Sequence, residues 1–275
     1  MAQPRVAANS NTQEPVGRVQ GLPFHFWTPN TTSFMKIGDM VAAGPTYSQE
    51  APYQNMIMEI LKPYFPTQAT IPGGDIWALD RESYRGPANA PSTIKPDGLV
   101  IRIRPLNATS SQNTKRDFLW VEVKPASHNT PGGWKDLLGE TATRLISAHP
   151  TRTVFVLLVV GVRYMVMIWD GGNSMAPNPV PTIIHPATAP FTPWPIDNRF
   201  KFPMVVAYYN QVSGIINTRA AASLDSETVY PAGQKPPGRG NLDVLRYEAD
   251  LATLEQFLIT IQQMPLAGNN PGHFF

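Results

Sequence analysis

Apolar residues recur at the period of an α-helix in three separate parts of the chain. The first helix has Thr46 or Ser48 as its predicted capping residue, and a pair of prolines ends it. Its apolar face consists of Tyr53, Met56, Ile57, Ile60, Leu61 and Tyr64. Further helices are predicted at about 134–148 and 242–264. Ahead of them, residues 21–45 combine aromatic side chains with Pro, Gly and Thr, which predicts an ordered, irregular segment packed on the core, with or without a short helix.

Strand-forming residues are concentrated in the middle of the chain. The runs 94–104 and 116–124 are rich in β-branched and aromatic residues and are joined by a polar loop, which predicts a long hairpin. A turn and a short strand are predicted within 69–82, so that three strands would form a meander. The run 154–160 is apolar at every position, as in a strand that is buried on both faces. Another strand is predicted at 164–169.

The predicted elements follow the order α–β–β–β–α–β–β, which indicates an α/β fold with a central mixed sheet flanked by helices. One domain is expected over 21–265, because a chain of 275 residues is long enough to bury a single core. Its core covers about 46–170, and 171–265 is expected to be a Pro-rich elaboration, mostly loop, followed by the last helix. Residues 1–20 are expected to form a disordered arm, and 266–275 a tail.

Composition excludes several kinds of site. The chain has no Cys, so it has no disulfide framework, no thiolate zinc site and no Cys nucleophile. Its net charge is only +2, so contact with a polyanion would depend on local clusters of basic residues. Residues 1–20 lack the apolar segment of a secretory signal, and the longest apolar run is too short to span a bilayer. We therefore predict an intracellular protein, nuclear or cytoplasmic, with no membrane partner.

The ends of the predicted hairpin carry the residues best suited to chemistry. Asp97 begins the first run, and Glu122 and Lys124 lie two residues apart at the end of the second. Alternate residues of a strand share a face, so the Glu and Lys side chains point the same way. Antiparallel pairing would place the start of one run beside the end of the other, which brings Asp97 next to both. Two carboxylates and an ammonium group at one sheet edge could hold a divalent metal and a water.

These residues also have ordinary structural interpretations. Pro-Asp-Gly is a common turn sequence, so Asp97 taken alone is more often a turn residue than a ligand. Glu-X-Lys on a strand is most often a solvated face or a weak ion pair. The joint position of the three residues, at pairable strand ends between two helices, favours a site.

Pro96–Asp97 followed by Glu122–Val123–Lys124 resembles the motif of the PD-(D/E)XK nuclease superfamily, which has the restriction-endonuclease-like fold. The order of predicted elements around the motif is also similar to that family. The resemblance covers about 46–170, somewhat under half of the chain. It implies an αβββαβ core and Mg²⁺-dependent, or Mn²⁺-dependent, hydrolysis of phosphodiester bonds.

The resemblance implies a role for each site residue. Asp97, Glu122 and the backbone carbonyl of Val123 would bind the metal. Lys124 would orient the attacking water or help to deprotonate it, with a pKa lowered by its position between metal and phosphate. In this family the first helix often carries a Glu that supports the metal site. We expect Glu59 in that role, with Glu50 as the weaker candidate and a solvated helix flank as the alternative for Glu59.

Basic residues near the motif are the candidates for binding substrate. They are Arg144, which could instead form a surface pair with Glu140, and Arg102 and Lys115 of the hairpin, which could equally be a solvated face. The expected partner is nucleic acid, with DNA ahead of RNA. One alternative is a nuclease-like fold without catalysis that binds nucleic acid or protein. Another is an unrelated α/β interaction domain, which would apply if Asp97 and Glu122 were far apart. The oligomeric state stays open, with a homodimer as one option.

Overall fold

A computed structural model describes residues 25–68, 76–82, 85, 95–104, 114–172, 182–184, 193–225 and 241–264. The arm predicted at 1–20 and the tail predicted at 266–275 lie outside these residues. In the described part of the chain, no helix is long and apolar enough to cross a membrane. The chain has a mixed α/β fold with a mixed central sheet flanked by helices.

The helices are α1 (Thr32–Ala43), α2 (Ala51–Leu61), α3 (Pro131–Ala148) and α4 (Asn241–Gln263). The three predicted helices correspond to α2, α3 and α4, and the predicted α3 began three residues too late. The predicted caps of α2 are wrong, because its N-cap is Glu50, whose side chain makes no capping hydrogen bond. The segment predicted to be irregular, with or without a short helix, contains the 12-residue α1. Its N-cap Thr31 accepts a hydrogen bond from the backbone N–H of Phe34.

The core of the main sheet consists of β1 (Ile76–Asp80), β2 (Gly98–Arg104), β3 (Thr114–Lys124), β4 (Thr153–Val160) and β5 (Arg163–Asp170), in that order across the sheet. The first three strands form the predicted antiparallel meander. β3 and β4 are parallel, and α3 makes the crossover between them. The short strands β8 (Phe200–Lys201) and β11 (Ala222–Ser223) extend the sheet beyond β5.

Helices cover the two faces of this sheet. Trp120 of β3 packs edge-on against His149 at the end of α3, so α3 lies on the face to which Trp120 points. Val156 of β4 is paired with Trp120, and the preceding Phe155 therefore points to the other face. There it packs against Phe257 of α4. The apolar run of β4 is explained by this arrangement, since both of its faces are covered.

α1 and α2 lie on the same face as α4. The hydroxyl of Tyr64, just after α2, donates a 2.6 Å hydrogen bond to the buried Glu255 of α4. The same carboxylate lies 2.7 Å from the ring of His25, which holds the first described residues against α4. α1 packs on α2. In the residues that the structure describes, one face thus carries α1, α2 and α4, and the other carries α3.

The Pro-rich region contains a second, smaller sheet that the sequence analysis did not predict. Its strands are β7 (Trp194–Pro195), β6 (Thr182–Ile184), β10 (Ile215–Asn217) and β9 (Tyr209–Asn210), in that order. Each is two or three residues long, which is too short to show a period of two in the sequence. Ile183 and Ile216 are fully buried, so the sheet belongs to the core and is more than a loop.

A buried polar cluster fixes the far end of β3. The Asp117 carboxylate is 2.9 Å from Nε of Arg85 and 3.2 Å from Nε2 of His149. Burial lowers the pKa of His149, although Asp117 opposes that shift. Asp117 precedes Glu122 by five residues, about 16 Å along a strand. This cluster therefore belongs to a different part of the sheet from the hairpin ends.

Candidate active site

The β2–β3 register brings the predicted residues together where β2 begins and β3 ends. Gly98 is paired with Val121, so Asp97 lies beside the next residues of β3. The Oδ2 atom of Asp97 accepts a hydrogen bond from the backbone N–H of Val123 at 2.6 Å. Burial raises the pKa of Asp97, while this hydrogen bond and the nearby Arg144 oppose the rise. Asp97 is thus held by the strand end that carries the other site residues.

Glu122 is the most buried of the site carboxylates, with only 1% of the residue exposed. Its Oε1 atom accepts a 2.7 Å hydrogen bond from the indole N–H of Trp120, and its Oε2 atom pairs with Nη1 of Arg144. Burial and then the charge of Asp97 raise the pKa of Glu122 to about 8. Burial disfavours the ionised form of both carboxylates, and the charge of Asp97 disfavours it further at Glu122.

Lys124 lies on the same face of β3 as Glu122, two residues further on. Its Nζ atom is 3.0 Å from Oε2 of Glu140. Burial acts to lower the pKa of Lys124, but the attraction of Glu140, with Glu50 and Asp97, outweighs burial and raises it. The neighbours of the ammonium group here are carboxylates, which explains the raised pKa. The predicted lowering applies to Lys124 between a metal and a phosphate and stays a prediction.

Two ion pairs of opposite polarity join β3 to α3. Glu122 pairs with Arg144, and Lys124 pairs with Glu140. The spacing of Glu140 and Arg144 along α3 matches that of Glu122 and Lys124 along β3. Residues four apart on a helix are separated by about 6 Å along its axis, and residues two apart on a strand by about 6.7 Å. Glu140 and Arg144 therefore each contact the sheet, whereas the alternative treated them as a pair with one another on the surface. The structure places Arg144 at the site.

The helix glutamate beside the site is Glu50 and not Glu59. Glu50 interacts electrostatically with Asp97, Lys124 and Arg144, and burial followed by the charge of Asp97 raises its pKa. Glu59 is nine residues further along α2, about 13 Å by helix geometry, and pairs with Lys62. The expectation for Glu59 is therefore wrong. The apolar stripe showed which face of α2 is buried, but it did not show which end of α2 lies beside the strand ends.

Arg102 lies outside the site and serves the fold. Only 8% of the residue is exposed, and its Nη1 atom donates a 2.6 Å hydrogen bond to the carbonyl of Met264, after α4. Its guanidinium group also lies over the rings of Trp77 and Phe118. The prediction that Arg102 contacts substrate is therefore wrong, since this side chain ties the end of α4 to the sheet.

Lys115 is exposed, but it lies at the other end of β3. Nine residues separate it from Lys124, which corresponds to about 30 Å of strand. Lys115 therefore lies far from Asp97, Glu122 and Lys124, and its predicted contact with substrate stays a prediction. Membership of one hairpin does not imply proximity, because Lys115 and Lys124 lie near opposite ends of β3.

The donor set at this edge fits a hard divalent cation. Asp97 and Glu122 supply carboxylate oxygens, and Mg²⁺ is commonly bound through one or two carboxylates together with waters and substrate phosphates. The carbonyl of Lys124 accepts a hydrogen bond from Gly161 on the β4 side. Strand alternation therefore turns the carbonyl of Val123 to the side of Asp97. Within the described residues, no group of three or more His, Asp or Glu side chains could by itself hold a metal.

Sequence reasoning missed Trp120 and Glu140 and ranked Glu50 too low. Trp120 is two residues before Glu122 and therefore on the same strand face, which was a usable signal for its contact with the carboxylate. The four-residue spacing of Glu140 and Arg144 was also visible, but nothing in it indicated which strand the helix would face. Comparisons of the chain with protein-family models, with curated proteins and with solved structures give no significant match.

Proposed function

We propose that this protein is a metal-dependent nuclease that hydrolyses phosphodiester bonds of nucleic acid, with DNA expected ahead of RNA. The observation that carries the proposal is the position of Asp97 at the end of β3, where its carboxylate accepts from the Val123 N–H and interacts electrostatically with Glu122, with Lys124 on the same face as Glu122. The interaction-domain alternative required the two carboxylates to be far apart, and their electrostatic interaction argues against it. The element order α2–β1–β2–β3–α3–β4–β5 supports a restriction-endonuclease-like core.

The carboxylates would hold the metal, together with the carbonyl of Val123. A bound Mg²⁺ or Mn²⁺ would stabilise negative charge on the phosphate and lower the pKa of a bound water. Asp97 is positioned for this by the Val123 N–H, and Glu122 by Trp120. Burial and mutual repulsion disfavour two negative charges here, so a cation would relieve an existing electrostatic cost.

Lys124 would act as a cation in this mechanism. Because its pKa is raised, the ammonium group keeps its proton at neutral pH and can donate hydrogen bonds to a phosphate oxygen or to the attacking water. Arg144 is partly exposed and gives one N–H group to Glu122. A guanidinium group has further donors, so Arg144 can also contact a phosphate.

A second candidate function is binding without catalysis, in a nuclease-like fold. One observation favours it: both oxygens of Glu122 already have protein partners, Trp120 and Arg144. If Arg144 holds its position permanently, its charge takes the place of a metal at Glu122. The two functions differ in whether a metal binds and whether cleavage follows.

A cleavage assay tests the proposal. The purified protein would be incubated with supercoiled, linear and single-stranded DNA and with RNA, each with Mg²⁺, Mn²⁺ or EDTA. We expect cleavage with either metal and none with EDTA. The control is Asp97→Asn purified in parallel, which removes a carboxylate charge and leaves the shape. Equal cleavage by the variant would identify a contaminating nuclease, and no cleavage of any substrate by the wild type would favour the binding function.

The two glutamates of α2 provide a matched comparison. We expect Glu50→Gln to lower the cleavage rate at limiting Mg²⁺ by about tenfold or more, because it removes a negative charge that acts on Asp97 and Lys124. Glu59→Gln is the same chemical change on the same helix, at a surface pair with Lys62. It should cleave like the wild type. Titration of cleavage rate against Mg²⁺ concentration measures both, and an identical response of the two variants would remove Glu50 from the site.

A further inference from the structure

A cavity of about 300 Å³ lies between α1, α2 and the turn that joins β4 to β5. Its lining combines polar side chains with an apolar wall. The polar members include Tyr53, Asn129, Arg163 and Asp225, and the wall includes Val160 and Val162. This is the size at which pockets for small organic ligands begin.

The cavity adjoins the candidate active site through three elements. Val160 is the register partner of Lys124 on the neighbouring strand, about 4.8 Å away across the ladder. Ala126, another lining residue, is two residues after Lys124. Tyr53 is one helical turn after Glu50 on α2. A ligand in the cavity would therefore lie next to groups that surround the reacting phosphate.

Tyr53 supplies a polar atom that the described part of the protein does not satisfy. The residue is fully buried, and its hydroxyl makes no well-formed hydrogen bond to any described group. The backbone of Ala126 approaches the phenol and opposes the effect of burial, which raises the pKa of Tyr53. A buried hydroxyl without a full partner is costly. Because this hydroxyl has no exposed surface, a ligand in the cavity would recover that cost by accepting from it after a small displacement of the cavity wall.

Asn129 and Asp225 add further hydrogen-bonding capacity around the cavity. The indole N–H of Trp134 donates to Oδ1 of Asn129 at 2.9 Å. Since an indole N–H can only donate, the oxygen of this amide is fixed toward Trp134, and its NH₂ group remains a donor. Asp225 is buried and carries acceptors. Donors and acceptors thus surround a space with apolar walls, which suits a flat heterocycle with a polar edge.

We propose that this cavity is a nucleobase subsite, which receives the base of a nucleotide adjacent to the phosphodiester at Lys124. The proposal rests on the proposed function and adds a requirement on the local structure of the nucleic acid at the cleaved bond. A base that is stacked and paired in a duplex cannot enter a side cavity, so the substrate has an unpaired or extruded nucleotide next to the cleaved bond. Single-stranded nucleic acid meets this requirement directly.

Binding in EDTA tests the subsite without cleavage. Fluorescence anisotropy would compare two labelled single-stranded oligodeoxynucleotides of equal length, one with normal bases and one with abasic residues at every position. We expect the wild type to bind the abasic probe about tenfold more weakly, the size of one base contact. Tyr53→Phe should reduce binding of the normal probe about threefold to tenfold, the contribution of one hydrogen bond, and leave the abasic probe unchanged.

Two further variants complete the design. Val162→Phe fills the cavity and should also reduce the preference for bases. Tyr47→Phe makes the same change at a neighbouring tyrosine whose hydroxyl bonds Gln49 at the surface, and should bind like the wild type. Thermal unfolding confirms that each variant is folded.

The possible results separate the subsite from the cleavage activity. Equal binding of both probes by the wild type, no binding of either, or an unchanged preference in both cavity variants would overturn the subsite. If the preference falls in the variants while no nucleic acid is cleaved, the subsite is supported and the nuclease proposal fails. If nucleic acid is cleaved in the presence of metal while the cavity variants keep the wild-type preference for bases, the nuclease proposal is supported and the subsite fails.

Discussion

Replacement of Lys124 by alanine is expected to lower the rate of metal-dependent cleavage by roughly 10²–10⁴-fold, the usual contribution of one positioned proton-transfer or hydrogen-bonding group. The reason is local: no other lysine is placed on this face beside Glu122 by the β3 register. Stability should change little, because Lys124 forms one ion pair with the half-exposed Glu140, worth about 0–1 kcal/mol. Single-turnover cleavage and thermal unfolding measure the two effects separately.

Lys62→Ala is the matched control for this variant. Lys62 is also paired with a glutamate, Glu59, but it follows the C-terminal end of α2, away from the site. We expect it to cleave at the wild-type rate. Cleavage at that rate by Lys124→Ala would contradict the role assigned to Lys124, and a large loss of thermal stability would mean that the rate reports unfolding instead of chemistry.

Glu122→Gln is expected to change how stability depends on pH. The pKa of Glu122 is about 8 in the folded chain and about 4.5 in the unfolded chain. Between these values the folded state binds more protons than the unfolded state, so the free energy of unfolding falls as pH rises. This contribution is fully present below about pH 4.5 and is lost by about pH 8. Glutamine cannot ionise, so the free energy of unfolding of the variant does not undergo this decrease as the pH rises.

The difference in unfolding free energy between Glu122→Gln and the wild type should therefore shift in favour of the variant by on the order of 4 kcal/mol between pH 5 and pH 8, at about 1.4 kcal/mol per pKa unit. Taking the difference removes the contributions of groups that do not interact with Glu122, such as His149, whose pKa is lowered. Asp97 interacts with Glu122, so its response to the substitution is part of the measured difference. Denaturant unfolding at several pH values measures it.

Glu59→Gln serves as the control, since it is the same change at a surface pair. It should not reproduce the change expected of Glu122→Gln between pH 5 and pH 8, because a surface ion pair contributes little to stability. A Glu122→Gln curve parallel to that of the wild type would show that Glu122 titrates normally. Addition of Mg²⁺ at pH 8 should raise the unfolding midpoint of the wild type but not of Glu122→Gln, because a ligand stabilises only the state that binds it. Equal midpoints with and without Mg²⁺ in the wild type would count against a metal at Glu122.

Much of the fold was predictable from local patterns. The helical period around Tyr53 and Ile57, the hairpin alternation and the apolar run of β4 each identify an element within a few residues. These signals are strong because burial acts on whole faces of long elements. The second sheet escaped prediction because strands of two or three residues are stabilised by long-range pairing, as between Ile183 and Ile216.

The sequence by itself determined that Asp97, Glu122 and Lys124 would meet, because the strand period of two and antiparallel pairing of one hairpin are local rules. Only the tertiary structure decided which residues from other elements complete the site. Glu50 instead of Glu59 reaches it because α2 places its N-terminal end at the strand ends. Likewise Arg102 is drawn to the end of α4. Such contacts depend on how helices dock on the sheet, and a periodic pattern gives the face that is buried but not the neighbour it meets.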